Sequence, residues 1–436
     1  MKRRNYLILF FCFVMMGCSG MKKKEKESAS TEVNNESLKD IAYEAFVYAY
    51  PMIEQVKTVN TMNKAYGKLG LGPNKVYMGH KYPMDNIGQP IVAPNFTSMT
   101  GLINVDISGG PVTLQIPDIT DRYAVFQCID VFTYNFFYIG SRATKGKGGK
   151  FIFHNKNQQV QKVGDVTPVL VEQDIFSIVN RIDVKDRADV ANVVRYQNQV
   201  KIIDKPATTR SYPTYDKIKV FSPDFVDYVN QLIVWIPEPE KEMYQRFAKI
   251  GIKSDVKLTA DQRKEVQVGI DAAYKAIMST KKQLQVGNGW TGATTIFGTR
   301  EYINGRYLDL AAGASFGLWG NSKEEANYYI LFAEGAGELT FTKEQLPPLS
   351  DIGFYSLTIY DSTVHATRNK YNSYVLTHDR MKFNKDGSIT FKVSKKPQKG
   401  NWLYLPTYKF ALLLRVYAAD PNKIQDYVPP RYSQKK

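Results

Sequence analysis

Cysteine is scarce in this chain, with three residues in 436. Cys12 and Cys18 fall in an N-terminal leader-like segment, so Cys128 is the one cysteine in the part expected to fold. A single thiol cannot form an internal disulfide, and the fold must therefore be held by its apolar core rather than by cross-links. We interpret Cys128 as a small buried apolar residue in a strand.

Motifs for metal binding, nucleotide binding and catalysis are missing as well. The histidines His80, His154, His365 and His378 are scattered, without the spacing of metal ligands. There is no serine nucleophile elbow, no dinucleotide-binding glycine pattern and no calcium loop. The basic turn 145–150 lacks the spacing of a phosphate loop. The sequence therefore predicts no metal and no cofactor, and it names no reaction.

Negative charge is the minority charge. The chain has 58 lysines and arginines against 42 aspartates and glutamates, a net charge of +16. Lys2, Arg3 and Arg4 lie in the leader, so its removal would leave 16 − 3 = +13. Such an excess favours anionic partners such as lipopolysaccharide, acidic glycans or nucleic acid, although a soluble basic surface is the simpler explanation. We expect an anionic or glycan small molecule rather than nucleic acid.

The N-terminal segment has the pattern of an export signal. Lys2–Arg4 precedes the apolar run Tyr6–Met16, which is too short to span a bilayer, and Gly17–Cys18 follows. A small residue before a cysteine resembles a bacterial lipobox. We therefore predict acylation of Cys18 and a lipid-anchored protein of the bacterial envelope, facing the periplasm or the cell surface. A simple secretory signal with an incidental cysteine is the alternative.

Two stretches separated by most of the chain repeat one plan. In the first, 111–151, an alternating apolar strand, the turn PDITD and the strand YAVFQCID are followed by an aromatic loop. In the second, 337–376, the turn becomes PPLSD and the strand FYSLTIYD. Asp130 and Asp361 close the two strands at matching positions. A repeat at this separation indicates two related β-sandwiches rather than a solenoid.

The remaining patterns complete a mainly β architecture. Apolar residues at helical spacing predict a helix over 38–66, opened by the capping box Ser37–Asp40. We predict two jelly-roll-like β-sandwich domains with this N-terminal helix and a helical insertion between them. The expected segments are a signal peptide (1–18), a disordered tether (19–36), the helix plus first sandwich (37–221), the helical insertion (222–289), the second sandwich (290–419) and a basic, proline-rich tail (420–436).

Several segments in combination resemble a known bacterial family. They are VAPN (92–95), PVTLQIPDITDRY (111–123), YIGSRATKGKGG (138–149), PPLSDIGFYSLTIYD (347–361) and GNWLYLP-x3-F-x-LLLRVY (400–417). The family is known only as domains of unknown function 1254 and 1214, in that order. The resemblance implies an exported protein of two jelly-roll-type sandwiches with no established activity. The family pattern places an aspartate after Pro-Asn, where this chain has Phe96.

Candidate ligand-binding residues cluster in two places. Asp130 and Asp361 could act as acids or bases, or could cap loop amides at a strand end. The loop after Asp130 supplies aromatic, amide and guanidinium groups suited to sugars or anions, and a second such cluster follows the helical insertion. Packing and interdomain docking are the alternatives. The other candidates are Tyr134, Asn135, Arg142, Arg300, Tyr302 and Arg306.

Three functional hypotheses remain open at this stage. The first is a module that binds an anionic or glycan ligand in a cleft between the sandwiches, with Arg142 facing Arg300 across it. The second is a glycan-active hydrolase or lyase that uses Asp130 or Asp361 with a second carboxyl group about 5–10 Å away. The third is a purely structural envelope protein without a cleft.

Overall fold

The computed structural model describes the chain from residue 36 to residue 435 with short gaps. Residues 37–436 form one compact unit. The predicted signal peptide with Cys18, and the tether up to residue 35, lie outside the described residues. No helix in the described part is long and apolar enough to cross a bilayer. The described ranges are 36–66, 72–88, 92–160, 164–208, 210–235, 240–280, 284–293 and 295–435.

The first sandwich packs two sheets around one apolar core. Its strands are β1 (Lys75–Met78), β2 (Ser98–Asp106), β3 (Val112–Ile116), β4 (Ala124–Ile129), β5 (Asn135–Gly140), β6 (Gly149–His154), β7 (Val166–Leu170), β8 (Ile175–Asp183) and β9 (Lys201–Asp204). Sheet A has the order β1-β2-β8-β4-β5, and sheet B has the order β7-β6-β3-β9. Alternate side chains of both sheets, among them Phe126, Phe153 and Phe176, fill the space between them. Cys128 lies in this core as a free, buried thiol.

The second sandwich is built in the same way. Its strands are β10 (Gln285–Gly287), β11 (Trp290–Gly292), β12 (Ala326–Glu334), β13 (Gly337–Phe341), β14 (Leu349–Asp361), β15 (Val375–Thr377), β16 (Ile389–Ser394), β17 (Asn401–Tyr404), β18 (Lys409–Ala419) and β19 (Tyr432–Gln434). Sheet C has the order β10-β11-β12-β18-β14-β15, and sheet D has the order β17-β16-β13-β19. Tyr329, Leu357, Phe391 and Leu414 lie in the shared core.

The two sandwiches share one topology. In sheet A the strands run β2-β8-β4-β5, and in sheet C the corresponding strands run β12-β18-β14-β15. Sheet B matches sheet D strand for strand, including one parallel pair in each, β6 with β7 and β16 with β17. The mainly β, two-sandwich prediction is confirmed. The repeat seen in the sequence corresponds to β3, β4 and β5 in one half and β13, β14 and β15 in the other.

Most of the described helices gather into a separate apolar core. They are α1 (Leu38–Tyr66), α3 (Lys217–Val220), α4 (Phe225–Leu232), α5 (Lys241–Phe247), α6 (Ala260–Thr280), α7 (Arg300–Ile303) and α8 (Tyr307–Phe316), whereas α2 (Val190–Gln197) packs its Val193 into the core of the first sandwich. Helix α1 is capped as predicted, with the Asp40 amide donating to Ser37 Oγ at 3.2 Å. Gly269 of α6 permits close packing on α1, since a Cβ there would lie 2.3 Å from the Lys39 carbonyl oxygen.

Two predicted segments are more integrated than the sequence suggested. Helices α4 and α6, from the expected insertion 222–289, pack with α1 and α8 into one helical core. Residues 420–435, from the predicted tail, are bound to the second sandwich. They supply β19, which pairs with β13, and the Trp290 indole donates to the Pro430 carbonyl oxygen at 2.8 Å. These hydrogen bonds to distant parts of the chain hold the segment in place, and a local reading of its prolines does not predict them.

The outer faces of sheets A and C contact each other. The Tyr123 ring, at the start of β4, lies 5.2 Å from the Phe354 ring and 5.3 Å from the Tyr417 ring. Strand alternation sends Arg181 of β8 and Arg415 of β18 to these same outer faces, opposite the core-facing Ile182 and Leu414. The interface between the sandwiches is therefore partly polar.

Candidate functional site

Asp130 organises the turn that follows β4. Its Oδ1 accepts hydrogen bonds from the amides of Phe132 and Tyr134, both at 2.9 Å, and its Oδ2 accepts one from Gln173 at 3.3 Å. The carboxyl group is buried, and Arg300 Nη2 lies 3.6 Å from Oδ2. Burial raises the pKa of Asp130 to about 7 and outweighs the lowering effect of Arg300. Asp130 is thus a turn cap that titrates near neutrality.

Arg300 joins several of the residues that the sequence singled out. Its guanidinium lies 4.7 Å from the centre of the Tyr134 ring and contacts Asp130. It also pairs with Glu172 at 3.1 Å and with the buried Glu240. Since three carboxyl groups surround one guanidinium, this cluster has no excess positive charge to offer an anion. The structure brings Asp130 and Tyr134 together with Arg300 of the second predicted cluster, and it adds two glutamates that the sequence analysis did not name.

Arg142 lies in a different contact, across the interface between the sandwiches. Its Nε donates to Glu325 Oε2 at 2.7 Å, and the Tyr123 hydroxyl donates to Glu325 Oε1 at 2.6 Å. The Glu325 side chain is 1% exposed, whereas that of Arg142 is 35% exposed. Arg142 therefore neutralises a buried carboxylate of the other sandwich, rather than facing Arg300 in a cleft as expected.

Arg306 and Tyr302 form a local surface group beside α8. The Arg306 guanidinium lies 5.3 Å from the centre of the Tyr302 ring, and its Nη1 donates to Asp309 at 2.7 Å. The Lys323 ammonium group lies 4.9 Å from the centre of the same Tyr302 ring. These contacts occupy Arg306 without bringing it to Arg142. A ligand role for Tyr302 and Arg306 stays a prediction.

Asp361 repeats the turn of Asp130 in the second sandwich. Its Oδ1 accepts from the amides of Thr363 and His365 at 2.8 and 3.0 Å. Burial acts to raise its pKa, but these bonds and one from Thr367 outweigh burial and lower it. Among the described residues, no arginine or lysine forms an ion pair with Asp361, in contrast to the pairing of Asp130 with Arg300. Asp361 is a turn cap at the end of β14.

A pocket of about 190 Å³ lies between the outer faces of sheets A and C. Arg181 and Arg415 line it from opposite sandwiches, and its described lining contains no aspartate or glutamate. We call it the arginine pocket. Arg181 donates to Gln127 Oε1 at 2.6 Å and to the Trp319 carbonyl oxygen at 3.0 Å. Arg415 donates to Thr358 Oγ1 at 3.2 Å and to the Ala93 carbonyl oxygen at 2.8 Å.

The charges of the two arginines are not compensated by protein carboxylates. Neither guanidinium has an aspartate or glutamate within ion-pair distance among the described residues, although Arg415 is only 4% exposed. Arginine does not give up its proton in proteins. A buried, unpaired cation is costly, and such charges are normally paired. The arginine pocket is therefore electrostatically complementary to an anion.

Arg181 and Arg415 occupy equivalent positions in the repeat. In the first sandwich Arg181 stands opposite Val125, five residues before Asp130. In the second, Arg415 stands opposite Ser356, five residues before Asp361. Each half thus contributes one guanidinium, from equivalent positions of the equivalent strands β8 and β18. The repeat places both side chains on the two outer faces that meet, where they line one pocket.

Two phenols add donors to the arginine pocket. The Tyr417 hydroxyl accepts from Asn95 Nδ2 at 2.9 Å, and the Tyr328 hydroxyl accepts from Asn321 Nδ2 at 2.9 Å. Because each oxygen is already an acceptor, its own proton remains to be donated. Burial raises the pKa of Tyr417 to about 12, outweighing the lowering effect of Arg415, so the hydroxyl stays protonated at neutral pH.

Asn135 is linked to the arginine pocket through Gln127, which contacts Arg181. Its Oδ1 accepts from Gln127 Nε2 at 2.6 Å, and Gln127 in turn accepts from Arg181. Its Nδ2 donates to the Gly320 carbonyl oxygen at 3.1 Å. The predicted residue Asn135 therefore positions Gln127 instead of exposing its own amide. A signal for the arginines did exist in the sequence: Arg415 interrupts the apolar strand ALLLRVYAA, where a charged residue is unusual.

Comparisons with known proteins agree with the fold. The VPA0106 protein from Vibrio parahaemolyticus superposes with a TM-score of 0.72 at 22% identity, covering 92% of this chain and all of that one. An uncharacterised protein from Burkholderia cenocepacia aligns with a TM-score of 0.44 at 13% identity, over 89% of this chain and 88% of its own. The first likeness carries the fold alone, and no curated protein matches the chain.

The family profiles match both sandwiches. The profile described as a protein of unknown function, DUF1254, matches residues 73–204, which hold β1 to β9. A second, DUF1214, matches residues 329–421, from within β12 to just beyond β18. The N-terminal then C-terminal order is that of the resemblance found in the sequence. The chain belongs to the two-domain family that joins DUF1254 to DUF1214.

Proposed function

We propose that this protein binds an anionic ligand, including acidic glycans, in the arginine pocket between its two sandwiches. One observation carries the proposal: Arg181 and Arg415, from equivalent strands, line one pocket without a carboxylate partner among the described residues. Planar guanidiniums suit bidentate contacts with carboxylate, sulfate or phosphate groups. The phenols of Tyr328 and Tyr417 would donate two further hydrogen bonds. The net charge of +16 would favour the approach of such a ligand.

The proposal includes a place of action outside the cytoplasm. The sequence Gly17–Cys18 after an apolar run supports export and acylation of Cys18, which would anchor the folded part to the envelope through residues 19–36. A binding module on a lipid anchor would meet free small molecules or envelope glycans. The acyl chain and the pocket are independent parts of the proposal and are tested separately.

The binding test uses inorganic phosphate, citrate and galacturonic acid as probes in isothermal titration calorimetry at low ionic strength. We expect Arg181→Met or Arg415→Met to weaken the binding of a positive probe by roughly ten- to a hundredfold, because one charge-assisted contact is worth about 1.5–3 kcal/mol. The control, Arg263→Met, removes a surface arginine that pairs with Asp224. Equal loss in all three variants would mean a general charge effect, and no binding by the wild type would reject the proposal.

A second candidate function is acid–base chemistry on a glycan by Asp130. Its pKa of about 7 and its contact with Arg300, which also holds Glu240, favour this alternative over an inert carboxyl group. Against this alternative, Asp130 is buried, and its Oδ1 already accepts hydrogen bonds from two loop amides. Release of reducing ends from acidic polysaccharides by the wild type, lost in Asp130→Asn, would support it. Equal release by both proteins would reject it.

A further inference from the structure

A second pocket adjoins the arginine pocket. Its volume is about 810 Å³, within the range of small-molecule sites. Asn95 and Trp319 line both pockets, so the two pockets meet at these residues. Met62, Met78 and Met99 line the second pocket, which we call the methionine pocket. Methionine side chains are adaptable and suit apolar ligands of variable shape.

The chemistry of the methionine pocket differs from that of the arginine pocket. Apolar side chains such as Val76, Leu102 and Val179 accompany the methionines, and the described lining contains one cation, Lys81, and no aspartate or glutamate. One buried polar group stands out. The Gln197 side chain is in the lining and the residue is 1% exposed, yet neither of its amide atoms has a hydrogen-bond partner. A buried amide left unpaired is unfavourable, and because both atoms are inaccessible to solvent they lie behind the pocket surface.

Trp319 fixes the boundary between the two pockets. Its indole donates to Gln55 of α1 at 2.7 Å, and its carbonyl oxygen accepts from Arg181. Its backbone has a φ of +66°, a conformation that is costly for a large side chain and persists only where the surroundings enforce it. One residue thus holds an arginine on one side and walls the methionine pocket on the other.

We propose that the ligand is an anionic amphiphile, whose charged head is bound by Arg181 and Arg415 and whose apolar chain lies in the methionine pocket. This inference rests on the proposed function and narrows its ligand class. A single carboxylate or phosphate head satisfies the uncompensated charge, while burial of the chain removes apolar surface from water.

The test compares butyrate, octanoate and dodecanoate by calorimetry in detergent-free buffer, below the micelle-forming concentration. We expect affinity to rise about fourfold for each added CH₂ until the pocket is filled, following about 0.8 kcal/mol per buried CH₂. Dodecyl phosphate distinguishes a phosphate from a carboxylate head, and neutral dodecanol should bind at least tenfold more weakly than either. Arg415→Met should abolish this preference for the charged head.

Filling the methionine pocket provides the matched variant. Met62→Trp places a bulky ring at a partly buried position of α1 and should remove the dependence on chain length while leaving butyrate binding unchanged. Butyrate and dodecanoate binding equally well to the wild type would overturn the amphiphile inference but keep the anion site. Unchanged dodecanoate binding in Arg415→Met would overturn it as surface adsorption. No binding of any anion would reject the proposed function itself.

Discussion

Asp130 and Asp361 cap equivalent turns in the two sandwiches, but their pKa values are shifted in opposite directions. Each carboxylate accepts from the amides two and four residues later, and each backbone amide donates to the carbonyl oxygen four residues later. Burial raises the pKa of Asp130 to about 7, whereas at Asp361 hydrogen bonds outweigh burial and lower the pKa. One local geometry therefore has two electrostatic outcomes, set by what packs over the turn.

The first prediction concerns Asp130. Its folded-state pKa of about 7 lies above the ordinary 3.8, so its contribution to stability is present below about pH 4 and lost as the pH rises through 7. The slope is up to about 1.4 kcal/mol per pH unit. Asp130→Asn keeps an oxygen for the two loop amides and should remove this slope. Urea unfolding from pH 4.5 to 8 measures it, and parallel curves for the two proteins would contradict the raised pKa.

The second prediction is the reverse case, Asp361. Because its folded-state pKa is below 3.8, its stabilising contribution is present above that pH and disappears as the pH falls through the folded-state value. Asp361→Asn should therefore be less stable than the wild type at pH 7 by about 0.5–1.5 kcal/mol, with the gap closing towards pH 3. Thermal melting at both pH values reads it out. A gap that widens in acid would disprove the assignment.

The third prediction separates two arginines of the same interface. Arg142→Met leaves the buried Glu325 carboxylate without its cation and should cost up to about 3 kcal/mol, reduced because Arg142 is partly exposed. Arg415→Met removes a cation that has no carboxylate partner in the described residues. Replacing a poorly compensated buried charge by an apolar side chain is neutral or stabilising, by about 1–4 kcal/mol. A lower melting temperature for Arg415→Met than for Arg142→Met would show that Arg415 is architectural.

The fourth prediction concerns Tyr417. Tyr417→Phe keeps the ring stacked on Phe354, with ring centres 4.5 Å apart, and removes only the hydroxyl. We expect the affinity for a bound anion to fall by roughly three- to tenfold, the worth of one neutral hydrogen bond. Asn95 loses its 2.9 Å contact but keeps Ser98 as an acceptor, so the melting temperature should change little. Unaltered affinity would exclude the hydroxyl as a ligand donor.

The fifth prediction concerns the anchor. Cys18→Ser should move the protein from the membrane fraction to the soluble fraction of the producing cell, because acylation needs the thiol. Fractionation must include a wash in high salt, since a basic surface alone can hold a protein on anionic lipid. Retention of the variant after that wash would refute lipid attachment at Cys18.

The architecture was readable from sequence where a local pattern has a single physical meaning. Alternating apolar residues in β3 and the cap at Ser37 are such cases. Local signals failed where tertiary pairing decides. Asp386–Gly387 between 381–383 and 389–391 predicts a β-hairpin. The turn forms, with the Asn384 amide donating to the Ser388 carbonyl oxygen at 2.8 Å, but 381–383 is not a strand. Strand β16 pairs instead with β13 and β17.

Only some residues of the candidate site could be predicted from such local sequence patterns. Tyr134 and Arg300 could be placed on two sides of one proposed cleft because aromatic and charged residues cluster after Asp130 and again after the helical insertion. Arg181 and Arg415 could not be, since their meeting depends on both strands being central in their sheets and on which face points outward. A one-residue change of register would turn either side chain into a sandwich core. Sheet order and register are set by the whole chain, not by the neighbours of either arginine.

The division of the arginine pocket between two sandwiches has a mechanical consequence. Because each guanidinium is fixed to its own sheet, their separation follows the angle between the two halves. A ligand gripped by both would act as a brace across the joint, and its affinity would be linked to that angle. Linkage is reciprocal, so a contact such as Arg142–Glu325 that sets the angle would tune affinity by the same factor by which the ligand strengthens that contact.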